Sequence, residues 1–330
     1  MSQAIALVST GLDSLLSAVI VKKQGVKVYG LHCTFSFGKQ KERILELEQT
    51  LASFDIPLEV EDITEPFMEI LRHPEHGFGS GVNPCIDCHM FMLRRAKDYM
   101  EKIGASFVIT GEVVGQRPMS QNRPILFHIE KETGLERLIL RPLSAKCLPI
   151  TIPEENGWVD RDRLYGIQGR SRKMQMALAS QFGITHYPQP AGGCILTDPA
   201  FARRFQAFVS HFGSNALTSH VMQLLRHGRH FWVKPTLWVI VGRNEADNKA
   251  LQDLAKDKWK FEPLDMEGPL VLVQGIEGKE DMDLVAGITA RYCNKAQEPK
   301  IRIRYTFGER EGILEASPLH DTELEQWKVG

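Results

Sequence analysis

The chain opens with a strand, a tight turn, a helix and a second strand, and that order constrains the fold more than any other feature. Ala4, Ile5, Ala6, Leu7 and Val8 form a short continuous apolar run, the pattern of a strand covered on both faces. Leu15, Leu16, Val19 and Ile20 then follow at helical spacing, Gly25 ends the helix, and the run 26–33 reads as the next strand. Together these make a βαβ unit of about 30 residues, which demands a parallel sheet with a crossover helix. The alternation continues with a helix at 39–54, a strand at 58–60, a helix at 88–103 and a strand at 107–110 ended by Gly111. The expected fold class is therefore α/β with a doubly wound parallel sheet. Ligands in such sheets bind beyond the carboxyl ends of the strands, so residues 9–14, the stretch 33–35 around Thr34, and residues 110–116 are expected to converge on one crevice.

A chain of 330 residues exceeds one core of ordinary size. The texture changes after Pro190: an amphipathic helix at 200–212 is followed by strand-like runs at 237–241 and 269–274, with a helix at 244–256 between them. The expectation is a catalytic domain over 1–200 and a smaller α+β domain over 201–330. Hydrophobic residues at 43% and charged residues at 25% exclude disordered and fibrous classes. With no basic leader, no small-residue cleavage site and no uncharged run of bilayer length, a cytoplasmic protein without membrane contact is expected. Its six cysteines should then be reduced or metal-bound. A net charge of -1 excludes a surface that traps polyanions everywhere. Two local basic groups remain, Arg161, Arg163, Arg170, Arg172 and Lys173, then Arg203, Arg204, Arg226, Arg229 and Lys234; composition alone favours a solvated helix face for each.

The first turn is Ser9-Thr10-Gly11-Leu12-Asp13-Ser14. Its hydroxyls and the open amides of a helix N-terminus suit an anion, and the segment lacks the lysine of a Walker loop. An ordinary helix start would use the same residues as caps. The segment resembles the Ser-Gly-Gly-x-Asp-Ser signature of the PP-loop ATP pyrophosphatases, with Thr10 in place of the first glycine. That resemblance implies an adenine nucleotide alpha hydrolase-like fold that binds ATP and Mg²⁺, with Ser9, Thr10, Gly11, Asp13, Ser14 and Thr34 at the nucleotide. A β-branched residue disfavours positive φ, so Thr10 must be extended.

Thr110-Gly111-Glu112-Val113-Val114-Gly115-Gln116, followed by Ser120-Gln121, is similar to a stretch of the tRNA 4-thiouridine synthetases. By that resemblance Gly111, Glu112 and Gln116 line the nucleotide and the activated base. Cys85 and Cys88 form a C-x-x-C ahead of the helix feeding this strand, which suits half a zinc site, a redox pair, a cluster ligand set or two buried thiols. Cys194 follows a Gly192-Gly193 approach. Cys85, Cys88 and Cys194 together resemble the ligand set of iron–sulfur tRNA thiolases, which implies a 4Fe–4S cluster with one open iron. A persulfide relay on the same cysteines, or zinc in place of the cluster, is the alternative. Cys33, Cys147 and Cys293 read as packed small hydrophobes. The scattered histidines, including His73, His76 and His89, read as structural.

Val241-Gly242-Arg243-Asn244, with Asn248 beyond, resembles the opening third of the RNA-binding domain of NFACT proteins. The function these resemblances imply is ATP-dependent tRNA sulfur transfer, with Asp13, Cys85, Cys88 and Cys194 as catalytic residues, and tRNA and a cellular sulfur donor as partners. The rivals are an amide-forming PP-loop ligase with a zinc site and an ATP-sensing RNA-binding adaptor.

Overall fold

The structure, a computed structural model, describes residues 2–35, 41–185, 187, 193–293 and 299–330. It divides into two compact units: residues 2–79 with 83–193, and residues 80–82 with 194–330. The chain reading put the division near residue 200.

The first unit holds β1 (Gln3–Leu7), β2 (Lys27–Thr34), β3 (Leu58–Asp62), β4 (Phe107–Thr110) and β5 (Ile139–Leu140) in one sheet of order β3-β2-β1-β4-β5. Every pairing is parallel. Its helices are α1 (Leu12–Lys22), α2 (Lys41–Ala52), α3 (Thr64–Arg72), α4 (Cys85–Ile103), α5 (Arg123–Thr133), α6 (Ile152–Glu155) and α7 (Lys173–Gln181). The alternation within β1 explains the double cover. Ala4 and Ala6 pack with Leu15, Leu16 and Val19 of α1 on one face, and Ile5 packs with Met90, Leu93 and Ala96 of α4 on the other. The strand order reverses between β1 and β4, so the turn after β1 and the turn after β4 lie side by side.

One helix start differs from the sequence expectation. The start of the helix expected at 39–54 falls partly outside the described residues. Helix α4 begins at Cys85 rather than at 88, because Pro84, its φ fixed at -82°, serves as the N-cap and accepts the Cys88 N–H at 2.8 Å. Both cysteines of the C-x-x-C therefore lie in the first turn of α4.

The second unit carries α8 (Pro199–Phe212), α9 (Ser219–Leu224), β6 (Arg229–Trp232), β7 (Trp238–Val241), α10 (Glu245–Asp253), β8 (Trp259–Pro263), β9 (Val271–Gln274), α11 (Lys279–Arg291), β10 (Ile301–Phe307), β11 (Arg310–Ala316), α12 (Asp321–Leu324) and β12 (Lys328–Val329). Its seven-stranded sheet, β11-β10-β8-β9-β7-β6-β12, is antiparallel throughout. The core lies where Phe231, Val239, Phe261, Val271 and Val273 meet Val285 and Ile288 of α11. Among the described residues no helix is long and apolar enough to cross a membrane.

Candidate active site

The turn after β1 is locked from within by its two serines. Ser14 Oγ accepts the Ser9 N–H at 3.0 Å and meets Ser9 Oγ at 3.1 Å, and Ser9 Oγ accepts the Gly11 N–H at 3.2 Å. Gly11 itself is extended, with φ -89° and ψ 151°, and Thr10 keeps a negative φ. The threonine in place of a glycine therefore costs this turn no left-handed strain.

The glycine that matters is Gly111. A Cβ there would stand 2.4 Å from the Ser14 N and Cα atoms and 2.7 Å from the Asp13 carbonyl carbon. The end of β4 thus lies directly against the first turn of α1, and only glycine permits it.

A crevice of about 240 Å³ opens at this junction, lined among others by Ser9, Gly11, Asp13, Ser14, Cys33, His89, Thr110, Gly111, Glu112, Gln116, Gln121 and Arg172. The three segments expected to converge do so, with Cys33 rather than Thr34 contributing the wall from β2 and Thr10 outside the lining. Gln116 Nε2 donates to Asp13 Oδ2 at 3.0 Å, and Arg172 lies 3.4 Å from the same oxygen. Asp13 Oδ1, Gln116 Oε1 and Gln121 Oε1 are buried without a protein partner. Buried acceptors in native folds are nearly always satisfied, so three at one crevice mark a place for a ligand.

Beneath the crevice Glu112 is fully fastened. Its carboxylate accepts from Thr110 Oγ1 at 3.0 Å and Arg141 Nε at 2.8 Å, and meets His89 Nδ1 at 3.1 Å; Arg141 also pairs with Glu130. Burial opposes the charge on Glu112, but Arg141 and His89 outweigh it and hold the carboxyl down at about 2. Glu112 is thus a buttress that fixes His89. Histidine 89, read from the chain as structural, presents its ring to the crevice. The available signal was its position one residue after Cys88 on the same helix.

Cys85 accepts a hydrogen bond at Sγ from Asn83 Nδ2 at 3.1 Å. Cys85 is the first residue of α4. Cys33, although it lines the crevice, is pushed up to about 12, chiefly by burial and then by Glu61. Burial likewise raises Cys293 to about 11. Cys194 belongs to the second unit, where it is the exposed N-cap of a 3-10 turn, Ile195–Thr197. Residues 191 and 192 of its glycine approach lie outside the described residues.

The basic groups read from the chain are largely absorbed by the fold. Arg161 binds Glu154 and two carbonyls, Arg163 binds the Lys23 carbonyl, and Arg172 turns to Asp13. In the second unit Arg204 is buried against the Ala200 and Gly228 carbonyls, Arg229 covers the Tyr292 ring, and Lys234 holds Asp281.

The Arg243 segment is similarly structural. Asn244 caps α10 by accepting the Asp247 N–H at 2.9 Å. Asp247 in turn accepts from Arg243 Nε at 2.5 Å and from the Gly228 N–H at 3.2 Å. Burial opposes its charge, yet the Arg243 and His227 contacts keep its carboxyl at about 2. Asn248 joins the Gly268 carbonyl to the Leu270 N–H.

Two family models match separate stretches of the chain. Residues 1–146 match the family model described as thiamine biosynthesis protein (ThiI). That match covers less than half of the chain. Residues 228–328 match the NFACT protein RNA binding domain, so that likeness spans the second sheet rather than its opening third alone. The chain is 31% identical over 115 residues to a tRNA-specific 2-thiouridylase of Nitratidesulfovibrio vulgaris, covering 34% of this chain and 33% of the relative. It is 27% identical over 150 residues to a probable tRNA sulfurtransferase of Staphylococcus epidermidis, covering 43% and 34%. The chain spans about a third of the length of the curated relatives it matches. Among solved structures, a 4-thiouridine synthetase in complex with RNA and ATP aligns at 21% identity and a TM-score of 0.41, over 60% of this chain and 46% of that one. The U34-tRNA thiolase NcsA of Methanococcus maripaludis with its 4Fe–4S cluster aligns at 14% and 0.34, over 69% and 73%.

Proposed function

We propose that this protein is an ATP-dependent tRNA sulfurtransferase, working in the cytoplasm. One observation carries the reading: the turn after β1 and the Gly111 turn meet at the strand-order reversal, around buried acceptors that the protein leaves unpaired. Ser9, Ser14 and the first amides of α1 would hold the pyrophosphate of ATP. Asp13 Oδ1 and Gln116 Oε1 are hard oxygen donors that fit Mg²⁺ and would hold it beside the phosphates. A carbonyl oxygen of a tRNA base attacks the α-phosphorus and pyrophosphate leaves. Sulfur then attacks the base carbon and AMP departs with the oxygen. Charge on the leaving pyrophosphate is met by donors already in place, and the recess shields the adenylate from water.

Cys85, Cys88 and Cys194 form the proposed sulfur-bearing set. The Asn83 bond to Cys85 and the α4 N-terminus support thiolate ligation. These thiolates would hold a 4Fe–4S cluster, which supplies an open iron for a hydrosulfide taken from a cellular donor. His89, oriented by Glu112, can pass a proton at its Nε2 at the crevice wall. The NFACT-type domain would hold the tRNA backbone while the crevice receives one base.

The test is mass spectrometry of tRNA nucleosides from cells carrying the gene, lacking it, or carrying Asp13→Asn. One thionucleoside is expected to vanish in the second and third strains. An unchanged nucleoside profile in the deletion strain contradicts the reading.

A further inference from the structure

A second cluster of ligating side chains lies in the first unit outside the crevice, and neither the nucleotide nor the sulfur chemistry uses it. His76 sits in the loop between α3 and α4, Asp87 in the first turn of α4, and His128 in α5. Asp87 is buried, whereas the two histidines are half-buried.

Both oxygens of Asp87 are committed to one residue. Oδ2 accepts the His76 backbone N–H at 3.1 Å, and Oδ1 lies 2.6 Å from His76 Nδ1. A carboxylate can only accept here, so Nδ1 carries the proton and the lone pair of His76 sits on Nε2. That Nε2 faces His128 Nε2 at 3.1 Å, with the two rings at 67°. Two imidazoles bound to one tetrahedral zinc at ~2.05 Å place their nitrogens about 3.3 Å apart. The observed spacing is within a few tenths of an ångström of that value. A carboxylate on the far nitrogen is the arrangement that orients histidine ligands and raises their basicity. Glu75, His76 and Asp87 also offer ligand atoms within 4.8 Å of one another, a group that does not include His128. Arg94 lines the neighbouring recess but turns its guanidinium to the Glu132 carbonyl at 3.4 Å.

We propose that His76 and His128 bind a zinc ion through their Nε2 atoms, with Asp87 as the orienting carboxylate. A pair of imidazole donors suits zinc. The ion ties the loop before α4 to α5, and so fixes the start of the helix that carries Cys85 and Cys88.

The decisive measurement is zinc content after chelation and dialysis against micromolar zinc. It uses the full chain with Cys85, Cys88 and Cys194 all changed to alanine, so that thiolates contribute nothing. One equivalent of zinc is expected. His128→Ala in that background is expected to weaken binding by at least tenfold, and Asp87→Asn by about 10–100-fold. Equal zinc content with and without His128, or no zinc in a chain whose circular dichroism is native, overturns the proposal. Should the triple-alanine chain misfold, cobalt(II) spectra of the otherwise native chain decide. A visible band without sulfur-to-metal charge transfer must disappear in His128→Ala, and its persistence overturns the site equally.

Discussion

The ThiI-type domain and the NFACT-type domain each carry a polar signature at a strand-to-helix turn, and the two signatures are spent differently. After β1, Asp13 shares one oxygen with Gln116 and Arg172 and keeps the other buried and unpaired. After β7, every polar group of the Arg243–Asn248 segment named above closes on the domain itself. A motif whose groups close on each other builds a fold. One that leaves acceptors open at a crevice is built for something else to bind. The same kind of resemblance therefore marks an open crevice in one unit and a closed segment in the other.

The contrast is most easily broken at Gly111. Gly111→Ala drives a methyl group into the Ser14 backbone, and displacing that turn is expected to lower ATP-dependent pyrophosphate release by more than about 100-fold. A near-native rate would mean that the turn does not hold the nucleotide.

In the other domain, Asp247→Ala strips the partners from Arg243, His227 and the Gly228 N–H. Loss of roughly 2–4 kcal/mol of stability is expected, read by urea denaturation, with ATP affinity unchanged. A stable variant that binds RNA poorly would instead make this segment a contact surface.

The smallest effect is in acid. Glu112 is held at about 2 against an ordinary 4.5, so its folded pKa is depressed. Its stabilising contribution is complete above about 4.5 and fades as pH falls toward 2. Glu112→Gln removes this dependence, and its melting temperature should fall less steeply than that of the native chain across that window. Parallel curves would mean that Glu112 is not charged against Arg141.

Much of this was legible along the chain because parallel strands buried on both faces leave continuous apolar runs, as at Ala4–Val8 and Phe107–Thr110. The Ser9–Ser14 and Thr110–Gln116 segments were legible for the same reason, since each ends such a run. The β10–β11 hairpin was not anticipated. Ile301 and Ile303 are buried while Arg302 and Arg304 are exposed and paired with Asp265 and Glu262, so its strand signal is an alternation and not a run. Arg172 reaches Asp13 across 159 residues, and His128 reaches His76 across 52. No spacing rule announces such contacts, because the sheet order and helix packing create them. His89 was obscured differently, as its role rests on Glu112 and Arg141 beneath it.

We propose that one crevice activates a tRNA base with ATP and that Cys85, Cys88 and Cys194 deliver sulfur to it. The direct measurement incubates anaerobically purified protein with tRNA, ATP, Mg²⁺ and sulfide, and quantifies AMP, pyrophosphate and thionucleosides together. Equimolar AMP, pyrophosphate and one thionucleoside should form, with the thionucleoside absent from the Cys194→Ala reaction. ATP turnover without any thionucleoside, or thiolation that survives loss of Cys85, Cys88 and Cys194, would contradict it.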